Sequence, residues 1–298
     1  MEIRQLHPLF VGEVSGIDLR APLTRDQVAQ IEAGMDRYAV LVFHDQDITD
    51  EQQVAFTRNF GQIEIAAGNQ LKTQHEQRRI SEQLVDISNL DPENKLLGRE
   101  DKRRMFNLGN RLWHSDSSFR AYPAKYSLLS ARIVPEKGGN TEFADMRAAY
   151  DALDEETKAE IEGLICEHSL LYSRGQLGFD HFTEEEKVMF RPVRQRLVRT
   201  HPVTGRKSLF LASHIGKIVG WPVPEARAFI RDLTDHATQR QFVYPHQWRQ
   251  YDLIMWDNRQ AMHRATRYAE NLEVRDMRRT TVAGEAMTAE QSPEQAAA

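Results

Sequence analysis

The sequence contains almost no cysteine and no long apolar run. Cys166 is the only cysteine among the 298 residues, so an intrachain disulfide and a cysteine-rich zinc or iron–sulfur site are both excluded. No hydrophobic run approaches the ~18 residues that a membrane-spanning helix needs. The opening segment MEIRQLHPLF also lacks the basic and apolar parts of a secretory signal. We therefore expect a cytoplasmic protein that does not enter a membrane.

Several common functional signatures are also missing. The sequence has no G-x-G-x-x-G, P-loop, G-x-S-x-G or H-E-x-x-H motif, which removes the simplest dinucleotide, nucleotide, serine-hydrolase and zincin interpretations. The formal net charge of −5 argues against nucleic acid as a partner, because phosphate contacts need a basic surface. Two basic clusters, at 99–104 and 275–279, stand out against that background. The ordinary interpretation of such clusters is a solvated face.

Helix signals come early in the chain, and strand signals dominate from residue 126 onward. TRDQ (24–27) and TDEQ (49–52) are capping boxes that open amphipathic runs. The later part consists of short strand-like runs separated by turn residues, which predicts a mainly β fold with helical insertions, a jelly roll or barrel. We expect one domain over 1–283 and a flexible tail over 284–298. The predicted helices are 146–153, 155–165 and 224–237, and the predicted strands are 39–43, 126–135, 141–146, 196–201, 208–213, 241–248, 252–258 and 278–284.

Residues 173–195 fit neither pattern. They contain two glycines, four acidic residues and several aromatic residues. This composition is equally compatible with a mobile loop beside a functional site and with an ordinary surface loop.

One H-x-[DE] triplet, His114-Ser115-Asp116, is a candidate for metal binding. About one or two such triplets are expected by chance in a chain of this composition, so the triplet alone is a weak signal. In an extended segment, residues i and i+2 project on the same face, so His114 and Asp116 can reach one ion. The best candidate for a third ligand is His263, which follows the apolar run 252–258 where buried sequence gives way to polar sequence.

Two imidazoles and one carboxylate leave three adjacent coordination positions open, an arrangement that suits Fe(II) oxygen chemistry. A closed structural zinc site would need a fourth protein ligand, and none is evident. The other histidines are interpreted as satisfied, partly buried side chains. They are His7, His44, His75, His168, His181, His201, His214, His236 and His246.

The second basic cluster, 275–279, contains two arginines whose spacing would place them on one face of an extended segment. Arg275 and Arg279 share a face of an extended segment because their separation is even, whereas Arg278 faces the other way. A guanidinium matches a carboxylate bidentately and keeps its charge when it is buried, so this pair could recruit carboxylate ligands. The alternative is a charged edge strand that uses arginine against aggregation.

Taken together, these segments resemble a known family. LWHSDSSF (112–119), GGNTEFADMRAAYDAL (138–153), MWDNRQAMHR (255–264) and RDMRRTT (275–281) are similar to the TauD/TfdA family of Fe(II)/2-oxoglutarate-dependent dioxygenases, and further similarity runs through nearly the whole chain. The resemblance implies a double-stranded β-helix, a cupin-like jelly roll, with iron at one open end. It assigns the iron to His114, Asp116 and His263, and 2-oxoglutarate to Thr141, Arg275 and Arg279.

The resemblance also implies the reaction. It points to hydroxylation of the ether-bearing carbon of an aryloxyalkanoate such as 2,4-dichlorophenoxyacetate, which gives a phenol, an oxo acid, succinate and CO2 and would serve herbicide degradation. It places a small anionic substrate near Asn110, Ser117, Lys95 and Arg279, although Lys95 is equally well interpreted as a plain surface lysine.

Other substrates and other roles remain open from the sequence. An alkylsulfonate or another small carboxylate would use the same mechanism. A non-catalytic jelly-roll binding protein is the alternative from a different functional class. Trp113 and Phe119 either line an aromatic pocket or belong to the core. We also expect a homo-oligomer.

Overall fold

The structure, a computed structural model, describes residues 1–65 and 78–292. His75 lies outside the described residues. Fifteen β-strands form in this part of the chain. They are β1 (Glu2–Gln5), β2 (Gly12–Ser15), β3 (Val40–Phe43), β4 (Val85–Asp86), β5 (Tyr126–Ile133), β6 (Thr141–Asp145), β7 (Ile165–His168), β8 (Val193–Arg196), β9 (Val198–Thr200), β10 (Lys207–Leu209), β11 (Ile215–Ile218), β12 (Val243–His246), β13 (Leu253–Asp257), β14 (Ala261–Ala265) and β15 (Asp276–Thr281).

Eight α-helices and two 3-10 helices, Leu108–Arg111 and Arg240–Phe242, accompany these strands in the described residues. None of these helices is both long and apolar enough to cross a membrane. The α-helices are α1 (Arg25–Tyr38), α2 (Asp50–Arg58), α3 (Lys102–Asn107), α4 (Met146–Asp151), α5 (Glu155–Ile161), α6 (Leu170–Gly175), α7 (Glu184–Met189) and α8 (Val223–Ala237).

Both predicted capping boxes are present. The Thr24 side chain accepts from the Gln27 backbone N–H, and the Gln27 side chain accepts from the Thr24 backbone N–H. Thr49 and Gln52 make the same reciprocal pair at the start of α2. Each box satisfies two backbone donors that would otherwise lack partners at a helix start, so local sequence fixes where both helices begin.

A seven-stranded sheet forms one layer, in the order β1-β2-β3-β13-β5-β15-β4. Its central strand β13 is buried on both faces because successive side chains point to opposite sides. Ile254 and Trp256 pack toward the second layer, whereas Leu253 and Met255 pack toward α1 and α2. This packing explains why the strand sequence is continuously apolar. Truncation of the fully buried Trp256 would cost about 3–5 kcal/mol.

The second layer contains the three-stranded sheet β12-β6-β14. Phe143 of β6 and Ala261 of β14 join the same buried cluster as Trp256 of β13, so the core lies between the two layers. Two smaller sheets, β11-β7-β8 and β10-β9, flank this layer. The arrangement confirms the predicted mainly β jelly roll with helical insertions.

The segment 173–195, which the sequence left open, is largely regular. It includes the end of α6, all of α7 and most of β8. Thr183 caps α7 and forms a capping box with Glu186, a signal that was present in the sequence. Ser173 and Arg174, at the start of the segment, are buried.

The start of the C-terminal segment is hydrogen-bonded to the domain. The Lys125 ammonium lies 2.9 Å from the Glu285 carboxylate. Gln291 exchanges side-chain hydrogen bonds with the main chain of Arg194 on β8. Residues 293–298 lie outside the described part of the chain, and the boundary at residue 284 stays a prediction.

Candidate active site

His114 and His263 lie opposite each other on neighbouring extended segments. The His114 N–H donates to the His263 carbonyl oxygen at 3.0 Å, and the His263 N–H donates back to the His114 carbonyl oxygen at 2.9 Å. Directly opposed residues of an antiparallel pair project their side chains on the same side. Their ring centroids are therefore only 4.2 Å apart, although the two residues are distant in sequence.

Asp116 completes a group of three potential metal ligands. Its Oδ1 lies 3.8 Å from His114 Nε2, and its Oδ2 lies 3.8 Å from His263 Nε2. One ligand atom from each residue lies within 4.8 Å of the others, and all three residues are buried. No other histidine, cysteine or acidic residue in the described part of the chain joins the group. The structure thus brings together the three residues that the sequence predicted as ligands.

The protonation states of the three side chains suit metal binding. The His114 Nδ1 lies 2.7 Å from the Leu112 carbonyl oxygen, which can only accept, so Nδ1 carries the hydrogen and Nε2 keeps its lone pair. Burial lowers the pKa of His114, and burial together with the neighbouring His114 lowers the pKa of His263 well below its usual value. Both rings are therefore neutral near pH 7.

Asp116 is held in its charged form. Burial by itself would raise the pKa of this carboxyl, but the Arg279 guanidinium and the two imidazoles bring it to about 2. Arg279 Nη1 donates to Asp116 Oδ1 at 2.5 Å. Two neutral imidazoles and one ionised carboxylate form the donor set typical of mononuclear Fe(II) oxygenases. The residues present therefore fit an iron ion.

A second set of residues orients Asp116. The Ser127 hydroxyl donates to Asp116 Oδ2 at 2.7 Å, and the Asn258 side-chain oxygen accepts from the Asp116 backbone N–H at 3.0 Å. Asn258 Nδ2 donates to the Ser127 oxygen at 3.0 Å, and the Trp256 indole N–H donates to Asn258 Oδ1 at 3.0 Å. Our sequence reasoning missed this network, although Trp256 and Asn258 lie in the predicted strand 252–258.

Arg275 is a buried guanidinium with no acidic partner among the described residues. It is 5% exposed, and its Nε donates to the Gly139 carbonyl oxygen at 3.3 Å. Burial lowers the pKa of Arg275 to about 10, although the Tyr268 hydroxyl opposes this shift. A buried cation without a counter-ion is costly unless a ligand supplies one. Arg275 therefore fits the predicted role of binding a carboxylate.

Arg278 points away from the site, as predicted. It forms an ion pair with Asp276 and lies 3.5 Å from Asp86. The strand has a register shift between Asp276 and Met277, which the simple alternation argument did not foresee. Arg279 nevertheless reaches Asp116, so the division between the inward Arg279 and the outward Arg278 is as expected.

Thr141 lies on the face of β6 that carries Phe143, because the two residues are separated by two positions. Phe143 stacks on the His263 ring at 6.1 Å with an interplanar angle of 25°. The Thr141 hydroxyl oxygen accepts from the Trp248 indole N–H at 3.0 Å. Since that acceptor position is occupied, the threonine hydrogen is free to be donated to a ligand. Trp248 was not among the predicted site residues.

The predicted substrate residues differ in their burial and in their contacts. Asn110 lies in the 3-10 turn Leu108–Arg111, four residues before His114, and is partly buried. Ser117 is buried, has a φ of 53°, and uses its hydroxyl to donate to Glu64 at 2.6 Å. Lys95 is exposed, and no described contact connects it with the three potential ligands. The substrate roles of these residues stay predictions.

Several expectations for individual side chains need adjustment. His181 is exposed beside Asp180, not partly buried, so that prediction was wrong. His214 is buried, but its ring lies 5.9 Å from that of His114, which brings it close to the site. Of the two aromatic residues, Trp113 packs on the core cluster of the second layer, whereas Phe119 lies 5.1 Å from His214. Only the tertiary structure shows these distances.

Fold and site together define a jelly-roll protein with two histidines and one carboxylate arranged for a catalytic metal. Residues 2–281 match the family model described as "Taurine catabolism dioxygenase TauD, TfdA family". The chain belongs to the TauD/TfdA dioxygenase family.

Individual relatives cover nearly the whole chain. It is 46% identical over 283 residues to the alpha-ketoglutarate-dependent 2,4-dichlorophenoxyacetate dioxygenase of Cupriavidus pinatubonensis, covering 95% of this chain and 97% of that protein. It is 38% identical to the (S)-phenoxypropionate/alpha-ketoglutarate-dioxygenase of Sphingobium herbicidovorans, with 89% of each chain covered. The crystal structure of AAD-2 in complex with Mn(II) and N-oxalylglycine superposes with a TM-score of 0.94 at 62% identity, covering 97% of this chain and 99% of that one.

Proposed function

We propose that this chain is an Fe(II)/2-oxoglutarate-dependent dioxygenase that hydroxylates the ether-bearing carbon of aryloxyalkanoates. The observation that carries the proposal is the convergence of His114, Asp116 and His263 on one side of a buried site. Relatives named for phenoxy acids are 46% and 38% identical to this chain, whereas the relative named alkylsulfatase, from Acinetobacter baylyi, is 29% identical. This order favours the aryloxyalkanoate over a sulfur-containing substrate.

The three ligands would hold iron from one side. An iron ion bound there would supply the coupling of O2 reduction to the oxidative decarboxylation of 2-oxoglutarate. The Leu112 carbonyl fixes the His114 ring so that Nε2 faces the site, and Ser127 and Asn258 fix the Asp116 carboxylate and its backbone. Contacts of this kind hold metal ligands in one orientation and support metal affinity.

We assign recognition of the distal carboxylate of 2-oxoglutarate to two residues. Arg275 offers a buried charge that has no acidic partner among residues 1–65 and 78–292, and Thr141 offers a hydroxyl hydrogen that the Trp248 indole leaves free. A charge-assisted pair of this kind gives both affinity and orientation. Arg279, beside Asp116, would contribute positive charge near the keto acid and the substrate anion.

The atoms of the overall reaction balance. One oxygen atom of O2 enters the new carboxylate of succinate, CO2 leaves, and the other oxygen atom converts the substrate C–H into C–OH. The hydroxylated carbon then carries both a hydroxyl and an aryl ether oxygen. This hemiacetal breaks its bond to the aryl oxygen, the hydroxyl proton passes to that oxygen, and a phenol and an oxo acid result.

A non-catalytic binding role is disfavoured by the completeness of the site. All three ligands, the buried Arg275 and the oriented Thr141 are present together. We also propose a cytoplasmic location, since Cys166 is buried and free. We further propose a homo-oligomeric state, which size-exclusion chromatography with light scattering would measure.

The test of function combines binding and turnover. Anaerobic addition of Fe(II) and 2-oxoglutarate should produce a weak visible charge-transfer band, and O2 with 2,4-dichlorophenoxyacetate should then release phenol and succinate in equal amounts. Asp116→Ala should lose the visible band and the product release. Asp180→Ala, which changes an exposed acid outside the site, should retain the band and the product release. A band without turnover of any phenoxy acid would refute the substrate class but not the family mechanism. Absence of the band would refute the mechanism.

A further inference from the structure

Arg174 is a second buried guanidinium without an acidic partner in the described part of the chain. It lies near the end of α6 and is 6% exposed. Nη1 donates to the neighbouring Ser173 hydroxyl at 3.1 Å, and Nε is buried without a partner. Burial lowers the pKa of Arg174 to about 10. Since isolation of a cation from water is strongly unfavourable, such a group points to an anion that binds beside it.

Arg174 is connected to the metal ligands through two polar side chains. The Ser173 hydroxyl that contacts Arg174 lies 2.9 Å from His214 Nδ1. The ring of His214 lies 5.9 Å from that of His114 and 5.1 Å from that of Phe119. The guanidinium is therefore on the side of the site where His114 meets His214, whereas Arg275 contacts Gly139.

Gly109 leaves the space that this guanidinium occupies. A methyl group at Gly109 would overlap the guanidinium of Arg174, so only glycine permits the close approach. The Gly109 carbonyl accepts from Leu112 N–H at 3.1 Å, and the Leu112 carbonyl accepts from His114 Nδ1 at 2.7 Å. Arg174 thus rests against the segment that positions His114. The Phe106 ring, 4.2 Å from the central guanidinium carbon, covers one of its faces.

The charges of the proposed reactants indicate what this cation binds. The proposed function assigns the distal carboxylate of 2-oxoglutarate to Arg275, and Arg279 is already paired with Asp116. An aryloxyalkanoate brings one further carboxylate, and Lys95, the sequence-based candidate for it, is exposed. A planar guanidinium held against an aromatic ring keeps its edge free for a bidentate contact with a carboxylate.

We infer that Arg174 binds the carboxylate of the aryloxyalkanoate substrate. This inference rests on the proposed function and names the residue that recognises the anionic end of the substrate. A carboxylate anchored at Arg174 would orient the ether-bearing carbon toward the face of the three ligands that carries no protein donor. Arg174 therefore acts as a residue for substrate binding and specificity.

Arg199 provides a matched control. Like Arg174, it has one buried guanidinium nitrogen without a hydrogen-bond partner, here Nη1, and it lies over the Phe210 ring at 4.5 Å. Burial lowers the pKa of Arg199 to about 10, but here the charge of Asp257 partly offsets the effect. Arg199 borders a different cavity, next to Thr288 and the C-terminal segment. Its replacement removes a partly buried cation whose pKa is lowered to a similar value, at a place away from the three ligands.

The experiment compares Arg174→Gln, Arg174→Lys and Arg199→Gln in the anaerobic complex with Fe(II) and 2-oxoglutarate. The visible band reports 2-oxoglutarate binding, and its perturbation by 2,4-dichlorophenoxyacetate reports substrate binding without turnover. We expect Arg174→Gln to raise the substrate Kd by about thirtyfold or more and to leave the 2-oxoglutarate Kd within about twofold. Arg174→Lys should recover part of the affinity, and Arg199→Gln should change neither constant.

A neutral analogue separates recognition from general structural effects. The wild-type protein should prefer 2,4-dichlorophenoxyacetate over its amide, and Arg174→Gln should lose most of that preference. Should Arg174→Gln fold poorly, as judged by its melting temperature, Gly109→Ala displaces the same guanidinium and should reduce the preference in the same way. An unchanged preference in a folded variant would overturn the inference.

The remaining outcomes are equally decisive. If Arg199→Gln loses as much substrate affinity as Arg174→Gln, the effect is not specific to Arg174. If only Lys95→Gln loses substrate affinity, Lys95 binds the carboxylate. Both results overturn the inference. If the wild-type protein binds 2-oxoglutarate but no phenoxy acid, the proposed substrate class fails and the assignment of Arg174 fails with it. That case is recognised because the wild-type protein itself gives no substrate response.

Discussion

The side-chain oxygen of Asn258 accepts a hydrogen bond from the backbone N–H of Asp116 at 3.0 Å. Asn258 directly follows β13, so this contact connects the central strand of the large sheet with a proposed metal ligand. The Trp256 indole, which is fully buried, fixes the same oxygen from the other side. Packing of the core therefore limits the movement of the Asp116 backbone.

Replacement of Asn258 by alanine should weaken metal binding without removing a ligand. The variant loses the contact with the Asp116 backbone and the donor to Ser127, so the carboxylate is oriented less well. We expect the metal affinity to fall by roughly 10–100-fold. The measurement is an anaerobic Fe(II) titration, with Asn271→Ala at an exposed position as the control. Wild-type affinity in the Asn258 variant would show that the network does not position the ligand.

The arginines of the C-terminal strand should separate cleanly by function. Arg275→Gln removes a buried cation that has no acidic partner in the part of the chain that the structure describes. It should therefore weaken 2-oxoglutarate binding by roughly 2–5 kcal/mol, measured as a Kd in the anaerobic complex. Arg278→Gln breaks pairs with Asp276 and Asp86 on the other face, so it should lower the melting temperature and leave that Kd unchanged. The opposite pattern would exchange the two roles.

The indole N–H of Trp248 should orient the Thr141 hydroxyl. Trp248→Phe keeps a ring beside His246 but removes the donor to Thr141, so the hydroxyl hydrogen is no longer directed toward the ligand. Loss of one neutral hydrogen bond predicts a 2-oxoglutarate Kd higher by about 2–13-fold. Trp221→Phe, which alters a ring packed on Phe229, is the control. Equal effects of both substitutions would argue against orientation.

His44 should make the stability of the fold depend on pH. Its Nδ1 lies 2.6 Å from Asp252, and this hydrogen bond raises the pKa of His44 against the effect of burial. Because the folded pKa is raised, the stabilisation is fully present below the ordinary histidine pKa of about 6.5. It is lost as the pH rises through the raised value.

The corresponding experiment measures the free energy of unfolding of wild-type protein and His44→Gln at several pH values. The difference should be largest below about pH 6.5 and should shrink at alkaline pH. His181→Gln, an exposed histidine, should show no such trend. A difference that is constant with pH would mean that the pair with Asp252 contributes no charge-dependent stability.

Much of the fold could be predicted from short stretches of sequence, because capping boxes and apolar runs involve only neighbouring residues. The capping boxes at Thr24 and Thr49 and the apolar strand β3 were identified from a few consecutive residues. The helix α7 carried the same kind of signal at Thr183 but was not assigned, since the surrounding segment mixes short helices with turns. Its neighbour α6 has only six residues, too few for a clear periodic pattern.

The sequence alone determined which chemical groups were available. The alternation of an extended segment predicted that His114 and Asp116 could reach one ion, and it distinguished Arg279 from Arg278 in the same way. In the structure, Asp116 lies in a turn that follows the bridge at His114. The distance from His263 to His114 could not follow from either segment, because it depends on pairing between residues far apart in the chain. Only the tertiary structure decided that Arg174, Ser173 and His214 lie beside the ligands, since burial and long-range packing leave no periodic trace in the sequence.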